Sequence, residues 1–320
     1  MNWRPSATPA TLKLRADALR AVREFFAERQ VMEVDTPALV RHAVTDLNIH
    51  SARVSLPGHH EPLYLHTSPE YAMKRLLAAG SGDIYQISHV YRGDESSRLH
   101  NAEFTLIEWY RCGFGMRQLM REVAALVGCL LGNSGSDAFT ELSYAQAFRQ
   151  SVGCDPLAAD ESQLRSLAIA HRLDPPMAAR CSRDELLDWL MGSVIGPALG
   201  ADGLCFVHRY PVSQAALARV DPADPALALR FELYRHGIEL ANGFEELANP
   251  VEQRARFESD RNERSRRGLP VPEIDQSLLD ALAAGLPPVS GVALGFDRTL
   301  MLRIGARAIS EVLPFALDRA

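Results

Sequence analysis

The 320-residue sequence predicts an α+β fold, in which an antiparallel β-sheet is flanked by helices. Strand-like runs occur in neighbouring pairs, 84–92 with 103–112 and 227–234 with 237–243, which is typical of antiparallel hairpins. Neither GxxxxGK[ST] nor a strand-linked GxGxxG occurs, and strands do not alternate regularly with helices, so a P-loop or Rossmann fold is not indicated. Further strand-like runs lie at about 31–34, 49–56, 62–66, 204–209 and 290–295.

Composition limits the classes of protein to consider. Hydrophobic residues make up 47% and charged residues 23%, as in soluble globular proteins, and the length allows one large domain or two ordinary ones. The net charge of −6 argues against a general nucleic-acid binder. No apolar run reaches membrane-spanning length and the N-terminus lacks a signal-peptide core, so we expect a cytoplasmic protein without membrane contact. The five cysteines are scattered, which favours a reducing compartment with the thiols as buried packing.

The first element is a helix that leads into a short strand. Thr8 and Pro9 predict a helix start, and the amphipathic pattern runs to about residue 29 before the strand at 31–34. Four apolar residues fall near one side of this helix: Leu12, Leu19, Val22 and Phe26. That side packs either against the core of the chain or against a partner subunit.

A second helix begins at Ser68-Pro69-Glu70 and runs to Leu77, with Gly80 as its stop. Ser68 and Glu70 would lie at the helix start, where side chains often face a cleft. A carboxylate in a first turn is also common because it complements the helix dipole, so Glu70 alone does not indicate a site.

The central hairpin, 84–112, carries unusually placed charges. Arg92 ends the first strand, where a guanidinium fork suits bidentate capture of a phosphate, and His100 lies in the loop. Glu108 interrupts an apolar strand, and a buried carboxylate requires a cation or a metal nearby. A surface hairpin with ordinary ion pairs is the alternative.

The rest of the chain adds three features. Residues 116–131 predict an apolar helix, and about 141–225 predict a mostly helical peripheral region within a single domain spanning 1–320. The strands on either side of a turn at 235–237 could place Glu232 and Glu239 on one face. A charged helix follows at 254–267, and glycines before Asp297 and Arg298 permit close approach of a planar ligand.

Three of these segments, taken in order, resemble the motifs of the class II aminoacyl-tRNA synthetases. VMEVDTP at 31–37 is similar to motif 1, and GVALGFDR at 291–298 is similar to motif 3. Arg92 with His100, Phe104 and Glu108 resembles motif 2. The resemblance implies a class II catalytic fold and ATP-dependent formation of an aminoacyl-adenylate.

The resemblance also implies roles for the residues that would bind ATP and Mg²⁺. Arg92 and Arg298 would be catalytic, contacting the α-phosphate and the γ-phosphate side respectively, and Phe104 would stack on adenine. Glu232 and Glu239 would hold Mg²⁺ through oxygen ligands. The remaining residues implied in ATP binding are Asp94, His100, Asn101, Leu240 and Gly295.

Within this superfamily the chain is most similar to the lysyl-tRNA synthetase branch, on the strength of SPE at 68–70, Glu108 with Tyr110, and IELANGFEEL at 238–247. That branch implies recognition of a side-chain ammonium by Glu108, Tyr110 and Glu246. Ser68, Glu70 and Asn242 would hold the amino end of the substrate. Glu246 is preferred to Glu245 because it lies seven residues after Glu239.

Motif 1 begins near residue 31, which leaves room for one helix and not for the N-terminal anticodon-binding barrel of those synthetases. The arrangement resembles the elongation factor P lysine ligases, paralogues that attach (R)-β-lysine to a protein lysine. Ala293 stands where synthetases usually have glycine, and Asp94 stands where the family usually has Glu. The resemblance implies elongation factor P as partner, (R)-β-lysine or lysine as substrate, no stable tRNA binding, and a homodimer through the motif 1 region.

Two other functions remain open at this stage. One is a non-catalytic synthetase-like module that binds an amino acid or a protein; the other is a minimal lysyl-tRNA synthetase-like enzyme. The retained Arg92, Glu232, Glu239 and Arg298 argue against the module, because pure binding does not require magnesium carboxylates. The sequence leaves open the lysine isomer, the acceptor lysine, the number of metal ions, the effect of Asp94 and the role of 141–225.

Overall fold

The computed structural model of this chain describes residues 3–58, 60–93, 97–132 and 138–320. In chain order the helices are α1 (Pro9–Glu28), α2 (Glu70–Ala78), α3 (Met116–Leu131), α4 (Tyr144–Val152), α5 (Glu161–Ala170), α6 (Pro175–Ala178), α7 (Arg183–Leu190), α8 (Pro250–Arg266), α9 (Gln276–Gly285) and α10 (Phe296–Ile304). The strands are β1 (Met32–Glu33), β2 (Leu39–Val40), β3 (Arg53–Val54), β4 (Leu63–Leu65), β5 (Ile84–Tyr91), β6 (Glu103–Cys112), β7 (Phe139–Ser143), β8 (Leu204–Pro211), β9 (Val220–Asp221), β10 (Asp224–Arg235), β11 (Ile238–Glu245) and β12 (Val289–Gly295).

These elements form two compact units. The first consists of Met1–Gly115, Ala125–Ser136 and Leu247–Ala320; the second consists of Met116–Ala124 and Asp137–Glu246. The single domain over 1–320, with its peripheral region at 141–225, stays a prediction.

The first unit is built on four strands in the order β1-β5-β6-β12. β1 pairs with β5 in parallel, whereas β5 with β6 and β6 with β12 pair antiparallel. A separate small sheet has the order β2-β4-β3. Val22 and Phe26 of α1 are fully buried, so these two residues face the core of the chain, and Phe26 stacks on Tyr85 of β5 with ring centroids 4.2 Å apart.

The second unit contains β11, β10, β8 and β7 in that order, with β9 pairing to β10. All neighbours are antiparallel except β7 and β8, which are parallel. Helices α4, α5 and α7 pack buried leucines and aromatic rings against Cys205 and Val207 of β8 and against Tyr234 of β10. The predicted helical character of 141–225 is confirmed for 144–152, 161–170, 175–178 and 183–190.

The turn between β10 and β11 places two requirements on its residues, one on backbone conformation and one on side-chain size. His236 and Gly237 both have positive φ, 49° and 71°, as a tight hairpin turn of the right twist demands. A Cβ on residue 237 would lie 2.6 Å from the carbonyl oxygen of Pro197, so glycine is also required for space.

The expectation that all cysteines are buried is wrong. Only Cys205 is buried; Cys129 is exposed on α3, and the other three are half-buried. All five are free thiols. Among the described residues, no helix has the length and apolar character needed to cross a membrane.

Candidate active site

The β5–β6 hairpin positions Arg92 and Phe104. The two strands pair from Ile84↔Tyr110 to Tyr91↔Glu103, so Arg92 follows the end of one strand and Phe104 lies near the start of the other. The Arg92 guanidinium lies 5.1 Å from the centre of the Phe104 ring, and its Nε donates to the carbonyl of Thr67 at 3.4 Å. The cation–π contact and the hydrogen bond together restrain the orientation of the Arg92 guanidinium. Asp94, which was predicted to contact ATP, lies outside the described residues.

The described part of the hairpin loop contacts Arg298. Nη2 of Arg298 lies 2.6 Å from Nε2 of His100, and Nε donates to the carbonyl of Leu99 at 3.3 Å. Because a guanidinium only donates, Nε2 of His100 is the acceptor, and Nδ1 carries the proton toward Oγ of Ser97, 2.8 Å away. Arg298 and His100, each predicted to contact ATP, are thus brought together.

Both polar atoms of the Asn101 side-chain amide form hydrogen bonds with the backbone. Its Nδ2 donates to the carbonyl of Glu103 at 2.6 Å, and its Oδ1 accepts from the amide of Leu317 at 3.3 Å. The Asn101 side chain therefore fastens the loop, and a direct contact with ATP would require it to exchange one of these bonds.

A buried ion pair fixes the start of α10, where Arg298 lies. The Arg15 guanidinium of α1 pairs with Oδ1 of Asp297 and donates to Oγ1 of Thr105 at 2.6 Å. Oδ2 of Asp297 accepts from the Thr105 amide at 2.7 Å. Arg15 thereby connects α1, β6 and α10, a role that its position on a mostly apolar helix face did not indicate.

Glu108 is a carboxylate within the sheet. It is 3% exposed, accepts from the Tyr110 hydroxyl at 2.7 Å, and stands in register with Gln86 on one side and Ala293 on the other. Gly295, two residues further along β12, is the N-cap of α10. The predicted set Glu108, Tyr110 and Ala293 is therefore brought together on neighbouring strands.

Ser68 and Glu70 stand at the start of α2, as predicted. The Glu70 amide donates to Oγ of Ser68 at 3.4 Å. Oε1 of Glu70 accepts from Nζ of Lys74 at 2.7 Å, and Lys74 is 1% exposed. Burial, with a further contribution from the Glu70 carboxylate, raises the pKa of Tyr71 well above its ordinary value. Sequence reasoning missed Lys74, although its i,i+4 spacing from Glu70 on a predicted helix was a usable signal.

In the second unit, a β-bulge places Glu239 and Asn242 on one face. Glu232 pairs with Asn242 and Tyr234 pairs with Glu239, which leaves Leu240 as the extra residue. Residues three apart on a regular strand point to opposite faces, and the bulge reverses that. Glu232 and Glu239 therefore share a face, as expected, and Asn242 lies on that face as well. Oδ1 of Asn242 is buried without a hydrogen-bond partner among the described residues.

The Glu232 carboxylate is already hydrogen-bonded through both oxygens. Oε1 accepts from Nη2 of Arg230 at 2.5 Å, and Oε2 accepts from the hydroxyl of Tyr234 at 2.6 Å. Burial, followed by the carboxylates of Glu232 and Glu239, raises the pKa of Tyr234 well above its ordinary value, so this hydroxyl stays a donor. Glu239, which is half-buried on the same face, fits a hard oxygen-seeking cation, whereas Glu232 would have to release Arg230 or Tyr234 to bind one.

The adjacent glutamates 245 and 246 differ in their surroundings. Glu245 accepts from the Met116 amide at the start of α3 at 2.9 Å and forms an ion pair with Arg219 at 2.6 Å. Glu246 is 6% exposed and its backbone bridges to Ala218. The Glu245 side chain thus has a structural use, and the choice of Glu246 for the substrate's ammonium stays a prediction.

Comparison with known proteins places this arrangement in a family. A family model described as tRNA synthetases class II (D, K and N) matches residues 1–319. The chain belongs to the class II tRNA synthetases. The predicted class II fold, an antiparallel sheet with flanking helices, is thereby confirmed.

Several relatives of this class II chain are similar over nearly their whole length. Proteins named elongation factor P–(R)-β-lysine ligase from Salmonella dublin, Salmonella paratyphi B and Salmonella heidelberg are each 46% identical over 323 residues. The match covers 100% of this chain and 98% of each relative.

Proposed function

We propose that this chain activates (R)-β-lysine, or lysine, with ATP as an aminoacyl-adenylate and transfers it to the ε-amine of a lysine on elongation factor P. The observation that carries the proposal is the Arg92 guanidinium, held 5.1 Å from the centre of the Phe104 ring, set beside similarity to ligases of that name over 98% of their length. A guanidinium restrained in this way can stabilise the negative charge that develops on a phosphate.

In the first step a carboxylate oxygen of the amino acid attacks the α-phosphorus of ATP, and pyrophosphate leaves. Arg92, fixed against Phe104, would contact the α-phosphate and the attacking carboxylate. Arg298 would contact the γ-phosphate side, with His100 as its neighbour in the loop. Fixed guanidinium groups stabilise the charge that develops at phosphorus without needing to reorganise.

The remaining ATP contacts are proposals of the same kind. Phe104 would stack on adenine, with Asp94, Asn101 and Gly295 as further contacts. Leu240 is 2% exposed, so its contact would be made by its backbone. Mg²⁺, when bound by Glu239 and Glu232, would neutralise phosphate oxygens.

On the amino-acid side, Glu108, Tyr110 and Glu246 would receive the side-chain ammonium. Ser68, Glu70 and Asn242 would hold the amino end, and Asn242 offers a buried Oδ1 as acceptor. Ala293, directly opposite Glu108, narrows the floor of that pocket by one methyl group relative to glycine.

In the second step the neutral ε-amine of the acceptor lysine attacks the carbonyl carbon of the adenylate. An amide forms, and AMP leaves with the bonding electrons of the mixed anhydride. The net charge of −6 suits a basic acceptor loop better than tRNA, so we expect weak tRNA binding. We further propose a cytoplasmic homodimer through the motif 1 region, where Met32 is 48% exposed.

The test begins with pyrophosphate exchange, using (R)-β-lysine, lysine and unrelated amino acids as substrates. Transfer is then followed by intact mass: elongation factor P should gain one aminoacyl mass, bulk tRNA should gain little, and the product should survive mild alkali because it is an amide. Arg92→Ala should abolish exchange, whereas Arg20→Ala, which removes an exposed arginine, should not. Alkali-labile charging of tRNA with unmodified elongation factor P would restore the synthetase function, and amino-acid binding without exchange would favour the non-catalytic module.

A further inference from the structure

Lysine is nearly absent from this chain. Of its 34 lysines and arginines, only Lys13 and Lys74 are lysines. Lys13 is exposed on α1, whereas Lys74 is 1% exposed on α2 and belongs to the largest fully buried side chains. A chain that otherwise uses arginine as its cation keeps a lysine at a buried position, which indicates a need for a compact ammonium there.

One partner of that ammonium is Glu70, one turn earlier on the same face of α2. The distance from Nζ of Lys74 to Oε1 of Glu70 is 2.7 Å, and the Glu70 side chain is 16% exposed. The other oxygen, Oε2, accepts no hydrogen bond from the residues that the structure describes. One side of the carboxylate is thus fixed from within the protein, and the other side remains for a second donor.

We propose that Lys74 is a positioning residue that presents Oε2 of Glu70 to the amino group at the amino end of the substrate. The proposal rests on the proposed function, in which Glu70 binds that group. Lys74 acts through Glu70 because the contact with a buried ammonium restrains the rotamer of the carboxylate. It does not contact the substrate's side-chain ammonium.

Lysine fits this role better than arginine would. The position is fully packed around a compact ammonium that lies 2.7 Å from Oε1, whereas a guanidinium is larger and planar. We therefore expect arginine at this position to hold the Glu70 carboxylate in a different orientation.

The experiment compares Lys74→Met, which keeps length and removes charge, with Lys13→Met, which makes the same change on the surface. KM for (R)-β-lysine and KM for ATP are measured by pyrophosphate exchange. The Ki of 6-aminohexanoate is measured as well, because this analogue keeps the carboxylate and the terminal amine but lacks the amine that Glu70 would bind. We expect KM for (R)-β-lysine to rise about 10- to 100-fold in Lys74→Met, with KM for ATP and the Ki within about twofold of wild type.

A parallel rise in KM and Ki, or no rise in either, overturns the role of Lys74. If Lys74→Met is unfolded by circular dichroism, the same comparison is made on Lys74→Arg, which keeps the charge. For it we expect a rise in KM of about 3- to 10-fold with an unchanged Ki, and an unchanged KM overturns the inference. Lack of amino-acid-dependent exchange by the wild-type protein contradicts the proposed function itself, so the two failures are distinguishable.

Discussion

The ion pair between Arg15 and Asp297 provides a quantitative test of how the start of α10 is held. Replacing Asp297 by Asn keeps the shape but removes the charge, and it leaves the Arg15 guanidinium buried without its carboxylate. The new amide NH₂ would also face either Arg15 or the Thr105 amide, which are both donors. Breaking a buried pair on one side typically costs about 3–5 kcal/mol, so we expect the free energy of unfolding to fall by about that amount.

Urea unfolding followed by circular dichroism measures the loss, provided that the denaturant slope stays unchanged. Asp17→Asn is the matched control, because Asp17 pairs with Arg20 on the exposed side of the same helix α1 and should cost less than about 1 kcal/mol. Adding Arg15→Met to Asp297→Asn should lower the free energy of unfolding much less than Arg15→Met does alone, because the second change removes the buried, unpaired guanidinium. A loss below about 1 kcal/mol for Asp297→Asn, or strictly additive costs, would refute the reasoning.

Three further outcomes are expected. Glu246→Gln should weaken activation of lysine or (R)-β-lysine by about 10²-fold or more in kcat/KM while sparing a neutral isostere, with Glu245→Gln as control; equal effects on all substrates would contradict the ammonium pocket. Burial raises the pKa of Asp260 to about 6, so the folded state binds this proton more tightly than the unfolded state does, and its contribution to stability grows as the pH falls from about 6 toward 4. Asp260→Asn, which can keep the acceptor for Thr45, should remove that pH dependence in thermal melts, and an unchanged slope between pH 4 and 6 would count against it. Arg298→Ala should lower the rate of adenylate formation by about 10²–10³, and near-normal pyrophosphate exchange would remove its proposed role.

Much of the fold could be predicted from the sequence because the longer strands have a regular pattern. The predicted run 84–92 is one residue longer than β5, the run 103–112 coincides with β6, and the helix at 116–131 has the predicted bounds. The two-residue strands β2 and β9 were missed, because so few residues carry no periodic signal. β7 was missed because its pairing with β8 depends on a partner 65 residues along the chain, as in Phe139↔Leu204. The charged helix begins at Pro250 rather than 254 because Asn249 caps it.

The candidate site, too, could be predicted from the sequence only in part. Glu108 could be singled out because a carboxylate within an apolar strand requires an explanation, and Arg92 because a guanidinium ends a strand; the roles of both stay predictions. Arg15 was unreadable because its partner Asp297 lies 282 positions away. The hydrogen bonds of Glu232 to Arg230 and Tyr234 depend on side-chain directions that no spacing rule supplies.

The bulge at Leu240 has a consequence for reading related sequences. Because the bulge absorbs one surplus residue, Glu239 and Asn242 share a face although they lie three positions apart in the sequence. A related chain without the surplus residue would place the same two side chains two positions apart on a regular strand, and they would again share a face. Related chains are therefore better compared by the strand face of the acidic residue than by its distance from Asn242 in the sequence.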